Sequence, residues 1–290
     1  MTNSFQHFIS SFGPQIQLAF FVAIFFIVWN IENIAGIFFN YKKWKHAFVN
    51  APFILTNIPG QIFLGFVFTK TIEWTSLHHF GFLYFLHLKS SAGLFLTSFI
   101  FLDFGEYIYH RLMHRIKGLW MFHVVHHSDS VVDVSTTLRE HPGENIIRLT
   151  FTLLWVLISG VAFWALLLRQ IIQSFSTVFA HMNYRLPERL DRFVGFIFIT
   201  PNLHQVHHHF KQPYTDSNYG DVLSIWDRMF GSFQRLDAKN LVFGVDTYME
   251  KKENGNFIFL TKMPFGKYRS KEIIQEKEIK REVIDILKEI

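Results

Sequence analysis

An all-α integral membrane protein is the fold class this sequence predicts, with about four transmembrane helices and its histidines gathered at one membrane face. Three observations carry that expectation. Half of the residues are hydrophobic and only 18% are charged, where soluble domains carry about 25%, and mean hydropathy is +0.19. Several stretches approach the ~20 apolar residues that cross a hydrocarbon core about 30 Å thick. Eleven of the 16 histidines fall between His110 and His209; eight of those recur at helix-turn spacings, and His181 stands singly between them. A soluble protein with buried helices would need far more polar sequence between the apolar stretches to cover them.

The first apolar stretch runs from Leu18 to about Phe39 and is interrupted by Asn30, Glu32 and Asn33. A second covers roughly Ala51 to Phe68, and a third roughly Ala92 to Tyr109, with Asp103 and Glu106 in its later part. Leu149 to Leu168, twenty residues without a charge, reads as a fourth span turning near Arg169. The eleven residues from Ile171 to His181 then form a shorter returning helix of only about 16 Å, which leaves His181 near the membrane boundary.

Lys and Arg are retained on the cytoplasmic side. The loop Tyr41-Lys42-Lys43-Trp44-Lys45 is basic, whereas the first fourteen residues hold no Lys or Arg. The N-terminus is therefore expected outside, and all three multi-histidine groups on the cytoplasmic side of an inner (cytoplasmic) membrane. The N-terminus lacks a charged region followed by a small-residue cleavage site, so it reads as the start of the first span rather than a cleaved signal peptide. The absence of cysteine excludes disulfides, thiolate-ligated haem and cysteine-bound iron–sulfur clusters within this polypeptide. A net charge of +5 suits a face resting on anionic lipid, and nothing specific points to nucleic acid. One domain is expected over residues 1–235. A polar C-terminal appendix over 236–290 follows, in which Ile279, Val283, Ile286, Leu287 and Ile290 repeat as one face of an amphipathic helix.

The chemistry lies in the histidines. Positions i, i+3 and i+4 share a helix face, so His110/His114, His123/His126/His127 and His204/His207/His208 each aim two or three imidazoles one way, with His181 returning to the same side. Neutral imidazole is the commonest side-chain metal ligand. One ion seldom takes more than three or four protein ligands, so nine inward histidines imply two metals in one pocket. Asp103 and Glu106, just before His110, are placed to accept the second ring N–H of ligand histidines, or else to pair with Arg111 or Arg115. Gly118 is expected to break the helix between the first two groups, and Pro201 to start the helix of the third. His209, offset by a further 100°, reads as a surface or supporting residue. His141-Pro142-Gly143-Glu144 superficially resembles the haem-binding motif of cytochrome b5 domains, but its fourth residue differs. His141 and Glu144 read instead as supporting or substrate-facing residues.

HxxxH at 110–114 and HxxHH at 123–127 and 204–208 resemble the three histidine boxes of the fatty acid hydroxylase / sterol desaturase superfamily of integral-membrane di-iron oxygenases. Arg139 to Glu144, His181-Met182-Asn183, Thr200-Pro201, Asp216-Ser217-Asn218-Tyr219-Gly220 and Ile225 to Gly231 extend the match over about residues 90–235. The resemblance implies a four-helix membrane base under a cytoplasmic histidine-rich helical cap. It implies metal-ligand roles for His110, His114, His123, His126, His127, His181, His204, His207 and His208, with Asp103, Glu106, His141, Glu144, Asn183, Asp216 and Asn218 as supporting residues and the 216–220 loop closing the site. It also implies two iron ions with O2 as co-substrate, hydroxylating or desaturating an unactivated C–H position of a lipid. The lipid classes that fit are sterol-like, fatty acyl or sphingoid, ether lipid and carotenoid. No flavin, cytochrome or ferredoxin motif is present, so a separate electron donor is expected, cytochrome b5-like or a ferredoxin with its reductase. Imidazoles alone would also suit zinc or copper. A membrane metal-binding or transport protein is the alternative, but it would string polar residues through the spans, and Glu32 is nearly the only acid well inside one. A haem electron carrier would place two to four histidines on facing spans, not nine at one edge.

Overall fold

A computed structural model describes residues 2–36, 41–248 and 250–267. Helices α1 (Thr2–Ala35), α2 (Lys43–Asn50), α3 (Pro52–His78), α4 (Phe82–Phe85), α5 (Ser91–Arg115), α6 (Lys117–His127), α7 (Pro142–Ser159) and α8 (Phe163–Ala180) come first. The shorter α9 (Glu188–Val194), α10 (Pro201–His207) and α11 (Ile225–Met229) follow. Among the described residues, β pairing is limited to the isolated bridges Phe198–Leu223 and His209–Phe243.

Four stretches, Gln17–Ala35, Lys43–Phe85, Ser91–Arg115 and Phe163–Ala180, are long and apolar enough to cross a membrane. α1 packs along α8, and α3 and α5 pack along α7. Their shared core joins Leu64, Phe68 and Ile72 of α3 to Leu102 of α5, Val156 of α7 and Trp164 of α8. The opposite face of α3 exposes Leu55, Ile62, Phe63 and Phe66. A helix apolar on all sides, with one side unburied by protein, is solvated by lipid.

The expected fourth span, Leu149 to Leu168, is not one helix. The chain turns at Gly160, where φ is +67° and the N–H caps α7 on the Val156 carbonyl. A side chain there would collide with the Phe80 carbonyl and the Tyr84 ring. Hydropathy registers burial, not direction, so an uncharged run conceals a hairpin when one glycine can adopt the left-handed conformation. The returning helix is therefore the eighteen residues of α8, about 27 Å long, rather than a short piece from Ile171. Arg169 does not mark a turn. It is buried inside α8, against Asp221 at 3.4 Å.

Other boundaries also differ. The break before α6 falls at Ile116, which is extended, and Gly118 lies within the helix. The stretch after residue 235 is not a detached appendix. Val245, Tyr248, Leu260 and Met263 pack against Phe53, Val124 and Val125, bracing α6 from behind. The amphipathic helix expected near the C-terminus lies outside the described residues. Glu32 ties α1 to this end of the molecule: its carboxylate accepts the N–H groups of Val134 (2.9 Å) and Asn183 (2.7 Å) and pairs with Lys43 (2.9 Å).

Gly160→Ala forces a side chain into a left-handed site that costs about 1–3 kcal/mol, in addition to the collision, and should lower the thermal unfolding midpoint in detergent. Gly118→Ala, in a helix with open space around it, should leave that midpoint unchanged or raise it slightly.

Candidate metal centre

The histidine end is built from four helix ends. α5 presents His110 and His114 one turn apart, and α6 presents His123, His126 and His127. His181 follows the last residue of α8. Thr200 caps α10 by accepting the Leu203 N–H, Pro201 occupies its first turn, and the helix carries His204 and His207 with His208 at its end. All nine rings meet in two adjoining groups. His110, His114, His123, His127 and His207 form one, and His126, His181, His204 and His208 the other, with the nitrogens of each group within 4.8 Å of one another. His127 and His208 stack across the junction, with ring centroids 4.6 Å apart.

The outer nitrogens are held. Nδ1 of His110 donates to the Tyr219 carbonyl (2.9 Å), that of His126 to Arg139 (3.2 Å), that of His181 to Thr177 (2.8 Å) and that of His207 to Ser217 (2.6 Å). Carboxylates serve two more: Glu144 meets His123 Nδ1 at 2.5 Å and Asp216 meets His114 Nδ1 at 3.3 Å. A proton fixed on Nδ1 leaves Nε2 as a lone pair directed inward. Nε2 atoms then face one another, His110 with His123 at 3.2 Å, His126 with His181 at 3.1 Å, and His181 with His204 at 3.0 Å.

These residues fit metal ions. Lone pairs facing at such distances repel unless a cation lies between them, and nitrogens about 3 Å apart match neighbouring ligands on an ion held near 2 Å. Both nitrogens of His127, and Nε2 of His114 and His207, are buried without a hydrogen-bond partner. Each such group would cost about 1–3 kcal/mol if left unsatisfied. Burial, reinforced by neighbouring imidazoles, pushes His126, His127, His204 and His208 well below the usual histidine range. Burial likewise lowers His181 to about 4 and His207 to about 3. The rings are therefore neutral and available as ligands at physiological pH. Trp120 and Tyr219 wall the first group, with ring centroids 4.9 and 5.1 Å from His114.

The expected supporting residues divide. Glu144 and Asp216 touch ligand-type histidines. Asn218 orients the loop that supplies the Ser217 and Tyr219 carbonyls, its side chain bonding Leu203 and Gln234. Asp103 and Glu106 do not reach the rings. Asp103 accepts the Val222 and Leu223 N–H groups and the Trp226 indole, and Glu106 accepts from Thr152 and lies near Arg169 rather than Arg111 or Arg115. Their helix face turns toward α7, α8 and the 221–226 segment. His141 caps α7 by accepting the Gly143 N–H, so its Nδ1 lone pair is already used. The backbone N–H of Asn183 serves Glu32. His209 is buried rather than on the surface, accepts the Val242 N–H, and stands outside both groups.

Several contributors were not legible in the sequence. Four ring anchors are backbone carbonyls, which every residue possesses. Asp227 fixes the loop behind Tyr219 by accepting the N–H groups of Tyr219 (2.7 Å) and Gly220 (2.9 Å); the Trp226-Asp227 pair within the family-like segment was its signal. Arg139 is fully buried and clamps the end of α6 through the Val125 carbonyl (2.9 Å) and Ser128 (2.7 Å). His46, on α2, meets Asp129 at 2.8 Å and Asp133 at 3.0 Å through its two ring nitrogens.

The lowered values set a pH dependence. Histidine in the unfolded chain titrates near 6.5, so stability is fully present above that pH and is lost as pH falls toward about 4 and about 3, where His181 and His207 take up protons in the folded state. The thermal midpoint of the metal-free protein should fall steeply from about pH 6.5 to 4, followed by tryptophan fluorescence in detergent.

Comparison with known proteins agrees with this geometry. Residues 95–232 match the fatty acid hydroxylase family model. The chain is 31% identical over 183 residues to alkylglycerol monooxygenase of Danio rerio, covering 59% of this chain and 36% of that protein. It is 29% identical over 178 residues to ornithine lipid hydroxylase OlsE of Rhizobium tropici, covering 60% and 51%. It is also 29% identical over 191 residues to sphingolipid C4-hydroxylase SUR2 of Saccharomyces cerevisiae, covering 59% and 49%. The chain thus spans between 36% and 51% of the length of these three relatives. No solved structure matches it. Residues 95–232, the segment that carries all nine converging histidines, are thus a fatty acid hydroxylase domain.

Proposed function

We propose that this protein is a membrane-bound, O2-dependent lipid hydroxylase whose nine histidines hold two iron ions. The observation that carries this reading is the convergence of nine imidazoles in two adjoining groups at one end of a bundle of apolar helices. Bound iron would supply the O2 activation and strong oxidant that an unactivated C–H bond requires. The chain's own residues prepare the place for it. Glu144 and the carbonyls of Tyr219, Ser217, Arg139 and Thr177 keep protons on the outer ring nitrogens, so that the inner ones present lone pairs. Trp120 and the fully buried Tyr219 exclude water. On this reading a lipid chain approaches the centre along the apolar helices, from within the bilayer.

The three relatives are named for hydroxylating or oxygenating an alkylglycerol, an ornithine lipid and a sphingolipid. Each name denotes a lipid, which favours hydroxylation of a lipid chain over desaturation here. Electrons come from a separate donor, cytochrome b5-like or a ferredoxin with its reductase. Loop charge supports an outside N-terminus and a cytoplasmic metal centre, and the α7/α8 hairpin returns His181 to the same side as the other groups.

Metal analysis of the purified protein should find about two irons per chain, the number two adjoining ligand groups of four or five histidines imply. Lipid mass spectrometry of cells with and without the protein should reveal an O2-dependent product heavier by one oxygen. His126→Ala or His207→Ala should abolish that product and deplete metal while membrane insertion persists, whereas His209→Ala should have a mild effect; full activity in His126→Ala would overturn the assignment. Glu144→Gln removes the carboxylate behind His123 and should weaken metal affinity about 10–100-fold, measured by chelator competition.

A further inference from the structure

The layer at the histidine end does not lie wholly above the spans. Residues 195–199, after α9, pair with residues 221–224, before α11. Ile199 N–H donates to the Val222 carbonyl (2.9 Å) and Ser224 N–H to the Ile197 carbonyl (2.8 Å), on either side of the Phe198–Leu223 bridge. Val222 and Leu223 form one cluster with Phe99 of α5, against which Phe95 of α5 and Ile172 of α8 also pack. Phe99 lies eight residues from Ser91, and Ile172 nine residues from Phe163, both counted from the helix ends remote from the histidines. At the helical rise these are about 12 and 14 Å, and Phe99 is about 16 Å below His110. Measured against hydrocarbon about 30 Å thick, the paired stretches lie beside the middle of the spans.

Non-helical backbone at that depth is tolerated only where protein satisfies its polar groups, and here protein meets the N–H groups of residues 195–199 and 222–224 and several of the carbonyls. The two oxygens of Asp103 accept the N–H groups of Val222 and Leu223 at 3.2 Å each, and one also accepts the Trp226 indole at 2.8 Å. The Gly195 carbonyl accepts from Ser224 Oγ (2.8 Å) and Arg228 (2.9 Å), and the Asp221 carbonyl from Ser176 Oγ (2.8 Å). Gly195, Ile197 and Phe198 donate back to the Asp191 and Val194 carbonyls. The Asp221 carboxylate is met by Arg169. The outward side chains are apolar and uncovered: Phe196 is 64%, Ile197 43% and Phe198 47% exposed.

We infer that residues 195–199 and 221–224 form a re-entrant wedge immersed in the hydrocarbon, with Phe196, Ile197 and Phe198 facing acyl chains. α9 leads into it from the interface, with Leu190 and Phe193 exposed one turn apart and the Glu188–Arg192 ion pair also exposed. The occupant is lipid because the wedge shares its level with lipid-facing surface: α5 buries Phe95 and Phe99 toward it while exposing Leu96 and Ile100 on another side. This inference stands whether or not the centre hydroxylates a lipid.

The chain contains no cysteine, so single-cysteine variants can be spin-labelled without background. Phe196→Cys and Phe198→Cys, in lipid nanodiscs, should be relaxed by O2 and shielded from a water-soluble nickel chelate, giving the high O2-to-nickel ratio of Ile62→Cys on the outer face of α3. That ratio should stand several-fold above the ratio of Glu188→Cys. A ratio equal to that of Glu188→Cys would overturn the wedge. Shielding from both reagents with spin–spin broadening would overturn it as well, because a second copy of the chain would then be the occupant. Ile197→Cys supplies an independent site should either variant fold poorly.

Discussion

Nine buried imidazoles converging in two adjoining groups, six of them held from behind so that a lone pair is directed inward, are the arrangement on which the rest of this molecule depends. Such a cluster is unfavourable in isolation. Its facing Nε2 atoms repel and its unpartnered nitrogens have lost their hydration, a cost that a bound metal would offset, coupling metal binding to folding. The protein contributes by fixing the other side of six of the rings. Carbonyls from three separate segments, and the carboxylates of Glu144 and Asp216, hold protons on Nδ1 of these six, so their tautomer and orientation are decided before any ion arrives.

Those acceptors must themselves be held, and the molecule uses one device repeatedly. A buried carboxylate on a helix accepts two backbone N–H groups from segments outside that helix. Asp227 does this for Tyr219 and Gly220, behind the carbonyl that orients His110. Glu32 does it for Val134 and Asn183, joining α1 to the segments beside α6 and α8. Asp103 does it for Val222 and Leu223 at bilayer depth. Paired donors make the burial of each charge tolerable, and each acid docks an irregular segment onto the helical frame. Acids that resemble metal-site support in the sequence thus support the backbone around the site.

The helical frame was largely legible. Apolar length marked the stretches that became α1, α3 and α5, Thr200-Pro201 marked the start of α10, and HxxxH and HxxHH marked rings on common faces, because helical periodicity repeats within a few residues. The uncharged run from Leu149 to Leu168 misled for a definite reason: a hairpin and a straight span have the same composition, and only the approach of Phe80 and Tyr84 to Gly160 reveals the turn. The stretch after residue 235 misled similarly, since its polar average hides Tyr248, Leu260 and Met263, which pack behind α6.

By itself the sequence determined the membrane class, the helical elements, and nine histidines on faces able to converge, because residue type and spacing along a helix settle these locally. Only the tertiary structure decided how the nine divide into groups of five and four, which carbonyl or carboxylate holds six of the rings, and that Asp103 and Glu106 face away from them. Such partnerships join residues far apart along the chain, His110 with Tyr219 and Asp103 with Leu223 among them. They arise from packing, which no local repeat encodes.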